Sequence, residues 1–188
     1  TKGVLMAGVG GQGILRASDI FSRVIIAAGF DVKKSEVHGM AQRGGCVTSH
    51  VRYGPKVYSP LAKKGDVDIL VSFEKIETLR YLDYLKDDGR IIMNTEELYP
   101  PAVNLGESVY PTDVIETIKR LFHEVKVVDA TALALQAGNI RTVNTVLLGA
   151  LSSCLPLATE TWEKVLKVSF PPKLIATNIE AFRLGRTA

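Results

Sequence analysis

Hydrophobic positions in this chain come either as short solid blocks or as spaced stripes, and the alternation of the two predicts an α/β fold. Val4, Leu5, Met6 and Ala7 form the first block, the pattern of a strand buried on both faces of a sheet. Ile14, Ala17, Phe21, Val24 and Ala28 follow at three- and four-residue spacing and fall on one face of a helix. Between them stand Gly8, Gly10, Gly11 and Gly13, so the opening stretch reads strand, glycine turn, helix. Residues 30–36 read as a second strand. Residues 35–45, which include Glu36, His38, Gln42, Arg43 and Gly44, fit neither pattern. They are expected to form a shaped loop facing a ligand or partner, because loops held on a rigid sheet commonly carry function.

Further on, residues 46–53 are rich in β-branched side chains, and Gly54 and Pro55 make a turn before residues 56–58, which predicts a hairpin inserted into the core. Residues 68–73 form a second solid block. Leu79, Leu82 and Leu85 predict a helix over about 76–85, and residues 90–94 another strand. Residues 108–111 are expected to form an edge strand, 112–122 a helix capped by Thr112 or Asp113, and 126–129 a strand. After Thr131 only helices are expected, over 131–137, 143–154, from Thr159 or Thr161, and from Pro171–Pro172, since proline is tolerated in a first turn. The sum is a three-layer α/β/α sandwich with a Rossmann-like, mostly parallel sheet, an inserted β-hairpin and a helical C-terminal tail. Residues 1–188 show no repeat, low-complexity tract or second domain.

The glycine turn carries the first candidate chemistry. Gly8, Gly10 and Gly13 have the G-x-G-x-x-G spacing, with Gly11 and Gln12 between, and glycines there let a backbone or a ligand approach the helix N-terminus, whose free N–H groups and dipole suit an anion. A full dinucleotide fingerprint needs an acid at the end of the second strand. Glu36 stands there, preceded by Lys33 and Lys34. Three readings follow: a dinucleotide site, a site for another phosphate-bearing ligand, or glycines that pack the first helix on the sheet. In each the turn is expected to reject side chains, Gly10→Val in particular. Composition narrows the field. A formal charge of +3, with cations scattered among acids, gives no nucleic-acid surface, and no apolar run approaches the ~20 residues of a membrane span. No secretory signal is read at the N-terminus. Cys46 and Cys154 are far apart and lack a C-x-x-C spacing, which argues for free thiols in the cytoplasm and against an iron–sulfur or other metal site within the chain.

The glycine turn together with residues 35–45 resembles the gamma subunit or domain of the 2-oxoacid:ferredoxin oxidoreductases, and within that family the beta subunits of indolepyruvate ferredoxin oxidoreductases. Residues 57–60 and 144–150 extend the likeness. The resemblance implies a gamma-type (pyruvate/ketoisovalerate oxidoreductase catalytic) domain over residues 1–188. It also implies a complex that decarboxylates a 2-oxoacid on thiamine diphosphate, passes electrons through iron–sulfur clusters to ferredoxin and releases an acyl-CoA. Thiamine and clusters would lie on partner subunits, and this chain would bind no cofactor tightly, shaping the interface and the CoA side. The chain alone would then be inactive. A free-standing nucleotide-binding protein of the dehydrogenase type is the alternative.

Single residues carry paired readings. His38 either orients a substrate group or hydrogen-bonds its own loop, and Arg43 either binds phosphate or a partner carboxylate or is simply solvated. Gln42 is read as bracing the loop and Glu36 as bracing it or binding ribose. Cys46 and Cys154 are read as small core residues, Trp162 as core or interface, and Asn144 as an amide that pins its helix to the glycine turn or sits at an interface.

Overall fold

The computed structural model describes residues 1–39 and 45–188. Its centre is a six-stranded sheet made of β1 (Lys2–Val9), β2 (Asp31–His38), β3 (Cys46–Gly54), β4 (Val67–Ser72), β5 (Leu85–Asn94) and β6 (Val125–Val128), in the spatial order β2-β3-β1-β4-β5-β6. Strands β1, β4, β5 and β6 pair in parallel, and β3 runs antiparallel to both of its neighbours. The helices are α1 (Ile14–Ala27), α2 (Lys75–Arg80), α3 (Pro101–Asn104), α4 (Val114–Leu121), α5 (Ala130–Gln136), α6 (Val143–Ser153), α7 (Thr159–Ser169) and α8 (Pro172–Thr187).

Successive side chains of a strand point to opposite faces, and here each face has its own core. Val4, Met6, Ile69, Val71 and Ile92 pack with α1, α5, α6, α7 and α8. Leu5, Ala7, Leu70, Ile91 and Met93 pack with α2 and α4 on the other face. The C-terminal helices expected as a tail therefore build most of one layer. Trp162 of α7 is fully buried there, stacked between Phe21 of α1 and Phe182 of α8 at centroid distances of 5.8 and 5.7 Å.

Four local expectations need correction. The hairpin is β2–β3, which lies beside β1 and makes β2 the edge strand, and residues 56–58 form no second arm. Val57 instead turns inward and donates its N–H to Asp31 Oδ2 at 2.8 Å. Residues 35–38 belong to β2 and not to the loop expected over 35–45. The helix expected over 76–85 ends at Arg80, followed by a 3-10 turn over Leu82–Tyr84 and the start of β5 at Leu85, which pairs with Val67. A 3-10 turn also brings residues three apart to one side, so Leu79, Leu82 and Leu85 still meet in one core. Residues 108–111 form no strand. Tyr110 is buried, with its hydroxyl on the Glu74 carboxylate at 2.6 Å, and Pro111 has no N–H to give a ladder.

Candidate functional site

β1 hands the chain to α1 on one face, whereas the adjacent β4 hands it to α2 on the other. Between them the carboxyl ends of the strands open a crevice, the place where ligands enter open α/β sheets. Here it is a cleft of about 530 Å³, lined by Gly11, Gln12, Gly13 and Arg16 on the α1 side and by Asn94, Glu96, Leu98 and Thr131 across from them, with Ile140, Arg141, Val143 and Asn144 above.

Gln12 knits the glycine turn to the sheet. Its Oε1 accepts the Val9 N–H at 2.8 Å, and its Nε2 donates to the Phe73 carbonyl at 3.1 Å. Asn94 continues the chain of amides from the next strand, with Nδ2 on that same carbonyl at 3.1 Å and Oδ1 accepting the Ala130 N–H at 3.1 Å. The carboxyl ends of β1, β4, β5 and β6 are thus tied together by two carboxamides, which gives the floor of the cleft a fixed shape.

The four glycines do different work. A Cβ at buried Gly8 would stand 2.8 Å from Phe73 Cβ and 2.9 Å from Ile14 Cδ1. Gly11 and Gly13 have φ of +100° and +80°, in the region only glycine enters freely, and a Cβ at Gly13 would meet the Asn144 amide at 2.9 Å. Among the described residues the nearest neighbour of a Cβ at Gly10 is the Gly45 carbonyl at 3.6 Å, an ordinary contact, so nothing in them supports the expected intolerance there. The Gly10 N–H donates to that carbonyl at 2.9 Å, which brings the end of the 35–45 segment onto the turn.

The other predicted residues are distributed unevenly. Glu36 does not reach the turn, because β3 lies between β2 and β1 and sets it two strand spacings, roughly 10 Å, aside. Its carboxylate takes the Lys34 ammonium at 2.6 Å, and Lys34 also pairs with Asp19. His38 is exposed at the end of β2. Gln42, Arg43 and Gly44 lie outside the described residues. Asn144 does meet the turn, with Nδ2 at 3.5 Å from the Gly13 carbonyl. Cys46 is half-buried, its Sγ 2.7 Å from the Tyr81 hydroxyl, and burial pushes its thiol up to about 11, which leaves it protonated and unreactive.

Asn94, Glu96, Thr131 and Arg141 were not singled out by sequence. The signal available for the first three was their place just past an apolar strand block, where the switch-point rule puts ligands. Glu96 accepts the Thr131 hydroxyl at 2.8 Å. Arg16 is steadied at the cleft mouth, Nη2 on the Ser169 carbonyl at 2.8 Å and its guanidinium 4.5 Å over the Phe170 ring. Opposite the cleft, buried Glu74 holds the segment after β5, accepting from Tyr110 and from the Leu98 N–H at 3.2 Å while capping α2 through the Glu77 N–H at 3.0 Å. Among the described residues no group of three or more His, Cys, Asp or Glu side chains is placed to hold a metal ion. Around the cleft, amide, guanidinium and carboxylate groups are placed to bind a ligand.

Known proteins share this architecture. The gamma subunit of a keto/oxoacid ferredoxin oxidoreductase from Geobacter sulfurreducens superposes with a TM-score of 0.73 at 21% identity, over 98% of this chain and 96% of that one. A 2-oxoglutarate:ferredoxin oxidoreductase from Magnetococcus marinus, solved with 2-oxoglutarate, coenzyme A and succinyl-CoA bound, superposes with a TM-score of 0.74 at 23% identity, over 99% of this chain and 30% of that larger one. Indolepyruvate oxidoreductase subunit IorB of Thermococcus kodakarensis is 41% identical over 189 residues, 97% of this chain and 93% of its own. Residues 3–188 match the family described as pyruvate ferredoxin/flavodoxin oxidoreductase, and with the match running nearly end to end the chain belongs to that family.

Proposed function

We infer that this chain, as one gamma-type domain over residues 1–188, is the small subunit of a cytoplasmic 2-oxoacid:ferredoxin oxidoreductase, with indolepyruvate as the first substrate to test. The observation that carries the inference is the 41% identity to an indolepyruvate oxidoreductase subunit over nearly the whole of both chains. The geometry supports a subunit that binds and does not react by itself. Decarboxylating a 2-oxoacid needs an electron sink for the carbanion, and side chains supply none. The two cysteines begin β3 and follow α6, and iron–sulfur clusters are held by several thiolates. Thiamine diphosphate and clusters therefore belong to partner subunits, and ferredoxin meets this chain only through the complex. Coenzyme A, which supplies the acyl-accepting thiol, fits the donor-rich cleft at Gly11, Gly13, Arg16, Arg141 and Asn144.

Acyl-CoA formation and ferredoxin reduction, measured with each subunit omitted in turn, test this reading. This chain alone should show no turnover with indolepyruvate, and adding the thiamine- and cluster-bearing subunit should restore it at saturating stoichiometry. Activity from this chain alone, or full activity without it, would defeat the assignment. The glycine spacing at a switch point favours the alternative of a free-standing nucleotide-dependent dehydrogenase. Stoichiometric NAD or NADP binding by the purified chain would establish it, but the separation of Glu36 from the turn by β3 speaks against a dinucleotide of the usual kind.

A further inference from the structure

The edge strand β2 complements itself. Its inner side pairs with β3 without a bulge from Asp31 to His38, and among the described residues no hydrogen bond reaches the backbone of its outer side. The strand holds no proline or glycine, and none of its eight residues is fully buried. A row of unpaired N–H and C=O groups of this length is a template for another strand. Lysines commonly close such an edge, and Lys33 and Lys34 stand in the middle of this one. Their acidic and apolar neighbours decide whether they close it.

Antiparallel pairing of two copies puts a two-fold axis at right angles to the sheet, and residues opposite each other then share a face. The axis must therefore pass through a residue, and charge selects which one. An axis on Lys33, Lys34 or Glu36 sets that side chain against its own copy, and like charges directly opposite destabilise a pair. An axis on Val32 or Val37 leaves less than half of the strand paired. On Ser35 it sets Lys34 against Glu36 twice, Lys33 against Val37 and Val32 against His38, with residues 32–38 of each copy in register. Lys34 and Glu36 already lie together on the α1 face, 2.6 Å apart within one chain, with Asp19 beside Lys34. The second copy repeats the pair in reverse order, so the four charges alternate in sign both along and across the strands. On the other face Val37, 51% exposed in the single chain, comes under the aliphatic stem of Lys33 of the second copy. We propose that β2 is a self-association edge, on which a second copy of this chain pairs antiparallel about an axis through Ser35 and joins two six-stranded sheets into one. The complementarity lies within the strand's own sequence, which selects a second copy over a different subunit.

Sedimentation equilibrium of the full chain tests it, with thermal melts to confirm that each variant folds. Wild type should be a dimer at micromolar concentration. Glu36→Lys sets lysines opposite each other and should weaken the dimer at least about tenfold, and the exchange of Lys34→Glu with Glu36→Lys in one chain should restore it to within about threefold. Residue 35 stands opposite its own copy at a spacing that a disulfide spans. Ser35→Cys should thus be trapped as a covalent dimer by mild oxidation, both as the purified chain and in the assembled complex. Lys34→Cys, whose two copies stand two residues out of register, should not be trapped, nor should wild type with its half-buried Cys46 and Cys154. Should Glu36→Lys fail to fold, the two cysteine variants still decide. A monomeric wild type, a dimer indifferent to Glu36→Lys, or trapping at Lys34→Cys in preference to Ser35→Cys would overturn the proposal. So would β2 amides that gain hydrogen-exchange protection only when the larger subunit binds, which would give the edge to that subunit.

Discussion

At the scale of residues, the glycine turn separates crowding from backbone strain. Gly8 is crowded by Phe73 and Ile14, and the fully buried Phe73, which directly follows β4, cannot step aside. Gly8→Ala should therefore destabilise the chain by about 1–3 kcal/mol, the range for forcing extra volume into a packed site. Gly10→Ala should stay within about 1 kcal/mol of wild type, as an exposed position without positive φ allows. Denaturant melts of the two variants would compare them, and equal losses would show that the turn is strained as a whole. The sequence motif marks Gly8, Gly10 and Gly13 alike. What distinguishes them arrives from far along the chain, at Phe73 and Asn144, and no local spacing encodes that. The same holds for Glu36, which has the right residue type and position in sequence but is displaced by a strand that follows it.

At the scale of elements, the stripes and blocks were readable because each face of the sheet and each helix must bury an apolar side, and most strands and helices stand where periodicity puts them. The place of β3 was not readable, since the choice between pairing β3 with β1 and pairing it with residues 56–58 is a matter of register across the sheet. Nor was the closeness of α6 and α8. A Cβ at Gly185 would stand 1.9 Å from the Val146 carbonyl oxygen, and one at Gly149 2.1 Å from that of Phe182. Two backbones are in contact through paired glycines, which a helical stripe records only as small residues. Gly185→Ala must push the helices apart, and α6 carries Asn144 while α8 carries Asn178. The expected outcome is a loss of about 3 kcal/mol or more, seen as a lower urea midpoint. An unchanged midpoint would mean that α8 slides at little cost, and the hydrogen bond from the Thr145 hydroxyl to Asn178 would then not be a fixed link between the two helices.

At the scale of the molecule, three buried or half-buried titratable groups give the stability a pH dependence with opposing parts. Burial holds the His50 imidazole below its ordinary 6.5, where Nδ1 accepts the Ala62 N–H at 3.4 Å. As pH falls below 6.5 the unfolded chain takes a proton that the folded chain refuses, so stability is lost by at most about 1.4 kcal/mol per pH unit. Burial acts in the other direction on Glu77, whose Oε2 has no partner among the described residues, and raises its carboxyl above 4.5. Its contribution is complete below pH 4.5 and is lost as pH rises through the folded value, so acidification restores stability there. Asp68 is a third case. Burial works to raise it, but the hydrogen bonds from Lys86, the Gly3 N–H and Lys2 prevail and hold it below 3.8, so its share disappears only in stronger acid. As pH falls below 6.5 the His50 part is lost, whereas the Glu77 part is regained as pH falls toward 4.5, so the two act in opposite directions before Asp68 adds its loss in stronger acid. Glu77→Gln removes the compensating part. It should melt a few degrees higher than wild type at pH 7, at about 2–4 °C per kcal/mol for a domain of this size, and lose that advantage as pH approaches 5. His50→Gln, which keeps an acceptor for Ala62, should show the reverse tilt. Calorimetric melts of the three proteins from pH 7.5 to 4.5 decide the matter, and three parallel curves would mean that neither burial shift acts on folding.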